Sequence, residues 1–404
     1  MKTAALAATL AAALLATGPA RAEISGGTVR LGVLNDQSGI YADFGGRGSV
    51  VAAQMAVEDF GGKVLGKPIE VLSADHQNKP DVASVIARDW MDTKGVDAIL
   101  ELTTSAVALA VQEIARSKDR AMLVTSASSA DLTGKSCTKI TVHWGFDSYG
   151  ISSVATKATV AGGGDSWFFI TGDNAGSHAQ EAQARFFLQE AGARVLGAVR
   201  HPLGTADFAS YLLQAQASKA KAIALANAGG DTINALKQAG EFGITQGGQA
   251  VVPMLMYISD IHSLGLQTAQ GLKFATPFYW DRNDETRAWS RRFMARHGGR
   301  APTMVHAGVY SMVTHYLKAV AAGDSDAGEA TVARMKQIPV EDALYKGVRI
   351  REDGRSLNEM HLVEVKTPKE SKGPWDYYKI LATVPGADAF RPLARGGCPF
   401  VKAD

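Results

Sequence analysis

The sequence predicts an α/β protein built as two doubly wound parallel-sheet lobes joined by a multi-strand hinge. Three observations carry that reading. Short apolar runs alternate with segments of helical spacing along most of the chain. The runs are continuous rather than alternating, as in strands covered by helices on both faces. A length of 404 residues also exceeds what one hydrophobic core usually organises and suits about two domains.

The elements follow in order. Val29–Asn35 is a short apolar run and the first strand; Val50–Phe60, with Met55, Val57 and Phe60, has helical spacing. Strands are then expected at Lys67–Asp75, Val96–Leu102 and Ala121–Thr125, separated by helices at Asp81–Thr93 and Ala106–Arg116. A second series begins near residue 150. It gives strands at Ser166–Thr171, Val195–Val199, Ala222–Ala226, Ala250–Met256 and Gly271–Thr276. Its helices are Ala179–Ala191, Asp207–Ser218 (Thr205 as N-cap, with Phe208, Leu212 and Gln216 stacked on one face) and Thr232–Glu241. Helices at Glu285–His297 and His306–Ala322 come next. Asp353-Gly354 reads as the tight turn of a hairpin between Gly347–Glu352 and Met360–Val365, and Trp375–Thr383 as a further strand.

Domain bounds follow from this order. Residues 23–145 with 279–343 form an N-terminal lobe, 146–278 with 344–385 a C-terminal lobe, and 386–404 a tail. The chain should cross between lobes near Gly145–Asp147, Pro277–Tyr279 and Ala343–Gly347.

Residues 1–22 read as a secretory signal. Lys2 is the positive start, Ala4 to Ala16 is a run of Ala, Leu and one Thr, and Gly18-Pro19 breaks it before Ala20-Arg21-Ala22. The run is shorter than the roughly 20 residues a bilayer needs, so cleavage before Glu23 is expected rather than anchoring. Formal charge is +2, and loss of Lys2 and Arg21 brings it to zero. No basic excess remains to hold nucleic acid or an anionic membrane. Two cysteines, Cys137 and Cys398, are either joined, as an even pair in an oxidising compartment usually is, or two free thiols. A bridge would be worth roughly 4–5 kcal/mol by loop entropy.

Enzymatic motifs fail one by one. Gly61–Pro68 spells G-x-x-x-x-G-K-P, with Pro where a phosphate loop needs a hydroxyl for magnesium, and it lies between helix and strand. Gly46-x-Gly48 lacks a third glycine, Val51 standing there. No histidine or cysteine spacing suits a metal, and no Gly-x-Ser-x-Gly elbow is present. Asp36, Asp173 and Asp231 lie in loops, where capping is the default role. No cofactor, metal or catalytic residue is therefore expected.

Hydroxyl and aromatic residues do cluster just after strands, where open α/β sheets bind ligands. The first strand is followed by Ser38-Gly39-Ile40-Tyr41-Ala42-Asp43-Phe44, the third by Thr103-Thr104-Ser105 and the fourth by Ser126-Ala127-Ser128-Ser129. Each cluster alone could cap a helix; together they suit a carboxylate cradle.

These residues, in this order, resemble the periplasmic solute-binding proteins of ABC transporters typified by branched-chain amino-acid receptors, the type I periplasmic binding proteins. The matching stretches are LGVLNDQSGIYADFGGRG, LTTSAVALAVQEIA, LVTSASSADLTG, TADFASYLLQAQASKA with NAGGDTINALKQAGEFGI, and HAGVYSMVTHYLKAV. The resemblance implies that Thr104, with Ser105 beside it, holds a ligand carboxylate, and that Ala127 and Ser128 make a second contact. It places Phe44 over the ligand side chain and Asn174 and Asn227 on the closing lobe. The family's amino-acid receptors also carry an acidic residue after a late second-lobe strand, for the ligand ammonium. Here that stretch is Pro253-Met254-Leu255-Met256-Tyr257. An unpaired buried ammonium is costly, so a zwitterion is disfavoured unless Asp231 or Asp173 substitutes.

The resulting expectation is a monomeric periplasmic receptor that closes two lobes on a small carboxylate with an apolar or aromatic body and presents it to an inner-membrane permease. Tyr41, Phe44, Trp144, Tyr149, Met256 and Tyr279 or Trp280 would line the site, although several could instead be core, as expected for Trp167 and Phe168. The alternatives are a branched-chain amino acid or amide in the same transport role, a sensor feeding a membrane kinase or chemoreceptor, and a periplasmic enzyme.

Overall fold

The protein is described over residues 24–401 by a computed structural model; the expected signal segment lies outside the described residues. In the first lobe, strands β1 (Val29–Asn35), β2 (Lys63–Val64), β3 (Lys67–Asp75), β4 (Ala98–Glu101), β5 (Ala121–Val124) and β6 (Thr141–His143) form one sheet. Their order is β2-β3-β1-β4-β5-β6, and every pairing is parallel except β2 with β3. The second lobe has β7 (Ser166–Gly172), β8 (Arg194–His201), β9 (Ala222–Ala226) and β10 (Ala250–Pro253), all parallel, in the order β10-β9-β7-β8.

Adjacent residues of one strand feed different cores, which is why the strands read as unbroken apolar runs. Val33, Leu100 and Leu123 pack on one face of the first sheet, and Leu34, Ile99 and Met122 on the other. In the second lobe, Phe168, Ile170 and Ile223 pack on one face and Trp167, Phe169 and Ala224 on the other. Burial on both sides leaves these inner strands no polar face to alternate with, whereas β3 and β8 keep exposed positions along their length.

Three further strands complete the second lobe: β11 (Lys273–Thr276), β14 (Met360–Val365) and β15 (Tyr378–Val384), antiparallel in the order β11-β14-β15. Between β11 and β14 the chain returns to the first lobe. Helix Met304–Gly323 is buried along nearly its whole length and packs on helix Gly46–Asp59. Strands β12 (Val340–Glu341) and β13 (Lys346–Val348) form a small ribbon after it.

Several local expectations are corrected. The late hairpin does not form as drawn. Asp353-Gly354 does turn, with Ile350 bridged to Ser356, but Arg355 bridges to His143 on the edge of the first sheet, while Met360–Val365 pairs with β11 and β15. Buried Arg355 fixes this course: it donates to the Phe146 carbonyl at 3.2 Å and pairs with Asp147 at 3.4 Å. The chain runs from the β12–β13 ribbon through this turn, at Arg355 and Ser356 beside His143, before it reaches β14. Thr205 caps no helix; its hydroxyl donates to the Pro202 carbonyl, and the helix begins at Ala209 after Phe208. The phosphate-loop-like stretch is a β2–β3 hairpin turning at Leu65 and Gly66, both at positive φ. Helices Ser148–Ala161 and Gly328–Gln337 lack any expected counterpart, the first being Ser- and Thr-rich with weak helical signal.

Cys137 and Cys398 are joined, their Cα atoms 5.5 Å apart. Ahead of Cys398, Phe390 packs under the Arg355 guanidinium and against Gly150 of the second lobe. Replacing both cysteines by Ser is expected to lower stability by about 2–5 kcal/mol, read as a lower urea midpoint for the variant. An unchanged midpoint shows that the packed tail holds itself in place without the bridge.

Candidate ligand-binding site

Parallel strands deliver their following loops to one edge of each sheet, and in this chain the two edges face each other. The cleft between them is lined from the first lobe by Tyr41, Phe44, Thr103, Thr104, Ser105, Ser126 and Ser128. From the second lobe come Asn174, Gly176, Ser177, Gln180, Asn227, Ala228, Leu255 and Tyr257. About 370 Å³ of non-atom space lies among these residues, part of it open to solvent.

The lobes touch around this space. The Gly230 amide donates to the Ile40 carbonyl at 3.3 Å, and Phe44 stacks on Tyr257 with centroids 4.0 Å apart. Gly229, at positive φ, lies so close to Ile40 and Tyr41 that a side chain there would collide with the Ile40 carbonyl. Gly176 comes near the Ser105 and Ser128 hydroxyls, which lie 3.2 and 3.0 Å from where its Cβ would be.

Polar groups line one part of the cleft. Helices Ser105–Ser117 and Ala175–Glu190 begin there from opposite lobes, so their first-turn N–H groups and positive dipole ends converge. Thr104 caps the first helix, its hydroxyl oxygen accepting from the Val107 amide at 3.4 Å, which leaves the hydroxyl proton to donate elsewhere. Asn174 caps the second through the Ser177 amide at 3.1 Å. Ser105 accepts from the Ser129 amide at 3.1 Å. Asn227 is held by Thr232, whose hydroxyl donates to it at 2.7 Å, and lies 3.0 Å from His201 Nε2. Two buried lining groups, Gln180 Nε2 and the Tyr257 hydroxyl, have no partner among the described residues. Aromatic and aliphatic carbon from Tyr41, Phe44, Leu255 and Tyr257 supplies the rest.

Among the described residues no lining side chain is charged. Asp260, the first acid after β10, turns away to accept from the Tyr257 amide at 3.0 Å, and burial pushes its carboxyl up to about 7. Asp231 accepts from the Gly204 amide at 3.3 Å behind the cleft, and burial lifts it to about 6. Asp173 is exposed, 3.0 Å from His178.

Nine expected ligand residues are thus brought together: Tyr41, Phe44, Thr103, Thr104, Ser105, Ser126, Ser128, Asn174 and Asn227. Five lie elsewhere, and their placement is corrected. Ala127 points its methyl into the first-lobe core, Trp144 is fully buried beside His315, and Met256 belongs to the second-lobe core. Tyr149 packs edge-on against Phe187 outside the cleft. Tyr279 donates to Asp376 at 3.2 Å near the hinge, where Trp280 donates to the Trp375 carbonyl. The sequence reading missed Gly176, Ser177, Gln180, Ala228, Leu255 and Tyr257. Gly176 and Ser177 were findable as the first turn of a helix following a strand end. Leu255 and Tyr257 flank Met256, and only the exact strand end at Pro253 decides which of the three faces the cleft.

A profile of the periplasmic binding proteins matches residues 28–374. The chain belongs to that family. A periplasmic binding protein from Burkholderia mallei is 45% identical over 93% of this chain and 99% of its own, with a TM-score of 0.90. A branched-chain amino-acid ABC transporter periplasmic ligand-binding protein from Burkholderia xenovorans is 40% identical over 92% of this chain and 99% of its own, with a TM-score of 0.82. A solute-binding protein from Rhodopseudomonas palustris, in complex with benzoate, shares the fold at 18% identity over 92% of this chain and 99% of its own, with a TM-score of 0.81. No curated protein matches the chain. Members of the family bind small solutes for ABC transporters in the periplasm and catalyse no reaction, and this chain has their type I fold.

The Tyr257 hydroxyl offers a direct test of the cleft. Tyr257→Phe keeps the stack on Phe44 and removes a buried group that has no partner. Stability without ligand should be unchanged or rise by about 1–3 kcal/mol, measured by urea unfolding. A clear loss of stability means that the hydroxyl is already satisfied within the protein.

Proposed function

We propose that this chain captures a small carboxylate with an apolar or aromatic body and presents it, lobes closed, to an ABC permease. The single observation that carries this reading is the lining of the cleft: hydroxyls, amides and two helix N-termini beside an aromatic wall, with no charged side chain. Neutral donors at helix N-termini hold an anion without a counter-cation. A ligand ammonium, by contrast, would find no lining carboxylate and would be buried at a cost of several kcal/mol. The benzoate complex of the Rhodopseudomonas protein shows only that this fold can accommodate such an acid.

In the proposed cycle the first lobe binds initially, through Thr104, Ser105 and Ser128, with Phe44 against the ligand body. Rotation about the three passages brings up Asn174, Gln180, Asn227 and Tyr257. Gln180 and Tyr257 then gain the partners they lack, so ligand and closure stabilise each other. Export with loss of residues 1–22 and action as a monomer belong to the same proposal.

A second reading has one observation in its favour. The 40% identical Burkholderia xenovorans protein carries the branched-chain amino-acid name, so leucine or valine is the alternative cargo.

Thermal-shift measurement of the protein against benzoate, hydroxybenzoates, short aliphatic acids, leucine and valine separates the two. Aromatic acids are expected to raise the melting temperature, in proportion to the logarithm of their concentration above the dissociation constant. Stabilisation by leucine alone gives the site to amino acids. Ser128→Ala and Gln180→Ala should each weaken the stabilising acid by about tenfold, the worth of a charge-assisted hydrogen bond.

A further inference from the structure

Beneath the hydroxyl cradle lies a carboxylate that does not line the cleft. Glu101 ends β4 and is fully buried. It and Leu102 both adopt positive φ, at 74° and 59°, an uncommon conformation for residues with side chains. The space it occupies is cut to fit: a side chain at Gly45 would collide with Oε1. Asn35 donates to Oε2 at 2.5 Å. The hydroxyls of Ser126 and Thr103 both donate to Oε1, at 3.1 and 3.3 Å, and the Ser49 hydroxyl faces the same carboxyl.

The ionisable groups around it give no cation. Tyr257 faces it from the second lobe with its hydroxyl kept neutral by burial. His306, on helix Met304–Gly323, lies 2.9 Å from the Gly45 carbonyl, and burial holds it neutral down to about 3. The Asp36 carboxylate is occupied by the Gly39 and Tyr41 amides and by Asn78. Among the described residues no ion pair includes Glu101.

Thr103 is committed on both sides, since its oxygen also accepts from the Asp36 amide at 2.9 Å. Ser126 is not. With Glu101 ionised, the Ser126 proton is spent on Oε1 and the hydroxyl offers the cleft only lone pairs. With Oε1 protonated, that proton can be donated to Ser126, whose own proton then turns to the cleft. We infer that Glu101, through Ser126, sets whether the cradle accepts from a ligand or donates to it, so that binding a carboxylate draws a proton onto Glu101. This rests on the carboxylate reading of the site, and it adds a positioning residue and a linked proton to it. Burial without a cation raises the Glu101 carboxyl to about 7, which places the switch near neutral pH. An incoming anion a few ångströms away raises it further.

The test uses benzoate as the probe, titrated calorimetrically at several pH values in buffers of differing ionisation heat. The wild-type protein should take up as much as about one proton per benzoate at pH 8, and its affinity should fall about tenfold between pH 6 and pH 8. In Glu101→Gln the side-chain amide donates permanently, and both effects should vanish. Benzoate binding with no proton uptake in the wild type overturns the inference and leaves the carboxylate reading standing. Proton release on binding leucine, with benzoate inert, does the reverse: Glu101 governs the cradle, and the carboxylate reading fails.

A ligand-free arm decides the matter even where neither probe binds. A carboxyl raised in the folded state stabilises fully below its unfolded value of about 4.5, and that contribution is lost as pH rises through about 7. The wild type should therefore lose melting temperature relative to Glu101→Gln between pH 5 and pH 8. Should that variant not fold, carbon NMR of the Glu101 carboxyl in the wild type gives its titration midpoint. A midpoint in the ordinary carboxylate range overturns the inference.

Discussion

Because parallel strands all end on the same edge of their sheet, the segments after β1, β4 and β5 reach one place and those after β7, β9 and β10 another, whatever side chains they carry. The remaining features of the cleft depend on that constraint. Helix Ser105–Ser117 follows β4 and helix Ala175–Glu190 follows β7, so their N-termini oppose each other across the gap between lobes. The local residue choices then follow from crowding. Gly176 and Gly229 stand where backbone meets the opposite lobe, and hydroxyls stand where helix starts need caps.

Most of the fold was legible in the sequence for the same reason. A strand buried on both faces must be apolar throughout, and Ala121–Val124 or Ala222–Ala226 can be read as little else. Legibility failed where the chain left the doubly wound pattern. The run Met360–Val365 reads as half of a hairpin, but a buried arginine, Arg355, ties the turn before it to Phe146 and Asp147, over two hundred residues away. Local turn chemistry carries no information about such a partner. Helix Ser148–Ala161 was missed because its Ser and Thr residues are tolerated there only through tertiary burial.

The site divides in a similar way. Hydroxyl residues after strand ends were found because their position alone marks them. The aromatics were sorted poorly, because an aromatic side chain after a strand can turn inward or outward with equal sequence support. Tyr41 and Phe44 face the cleft, while Trp144 fills the core and Tyr149 packs on the outside. Glu101 escaped notice for a different reason: it lies within the apolar strand β4, and nothing in the sequence says that the hydroxyls after it will turn back to meet it.

The bond between Cys137 and Cys398 has a consequence beyond stability. The chain leaves the first lobe soon after Cys137 and is fastened back to that residue at Cys398, so the whole second lobe lies inside one covalent ring. A single backbone cut anywhere in that ring, including at any of the three passages, leaves the two fragments tethered. The ring therefore acts as a latch that holds the lobes together after the chain is cut.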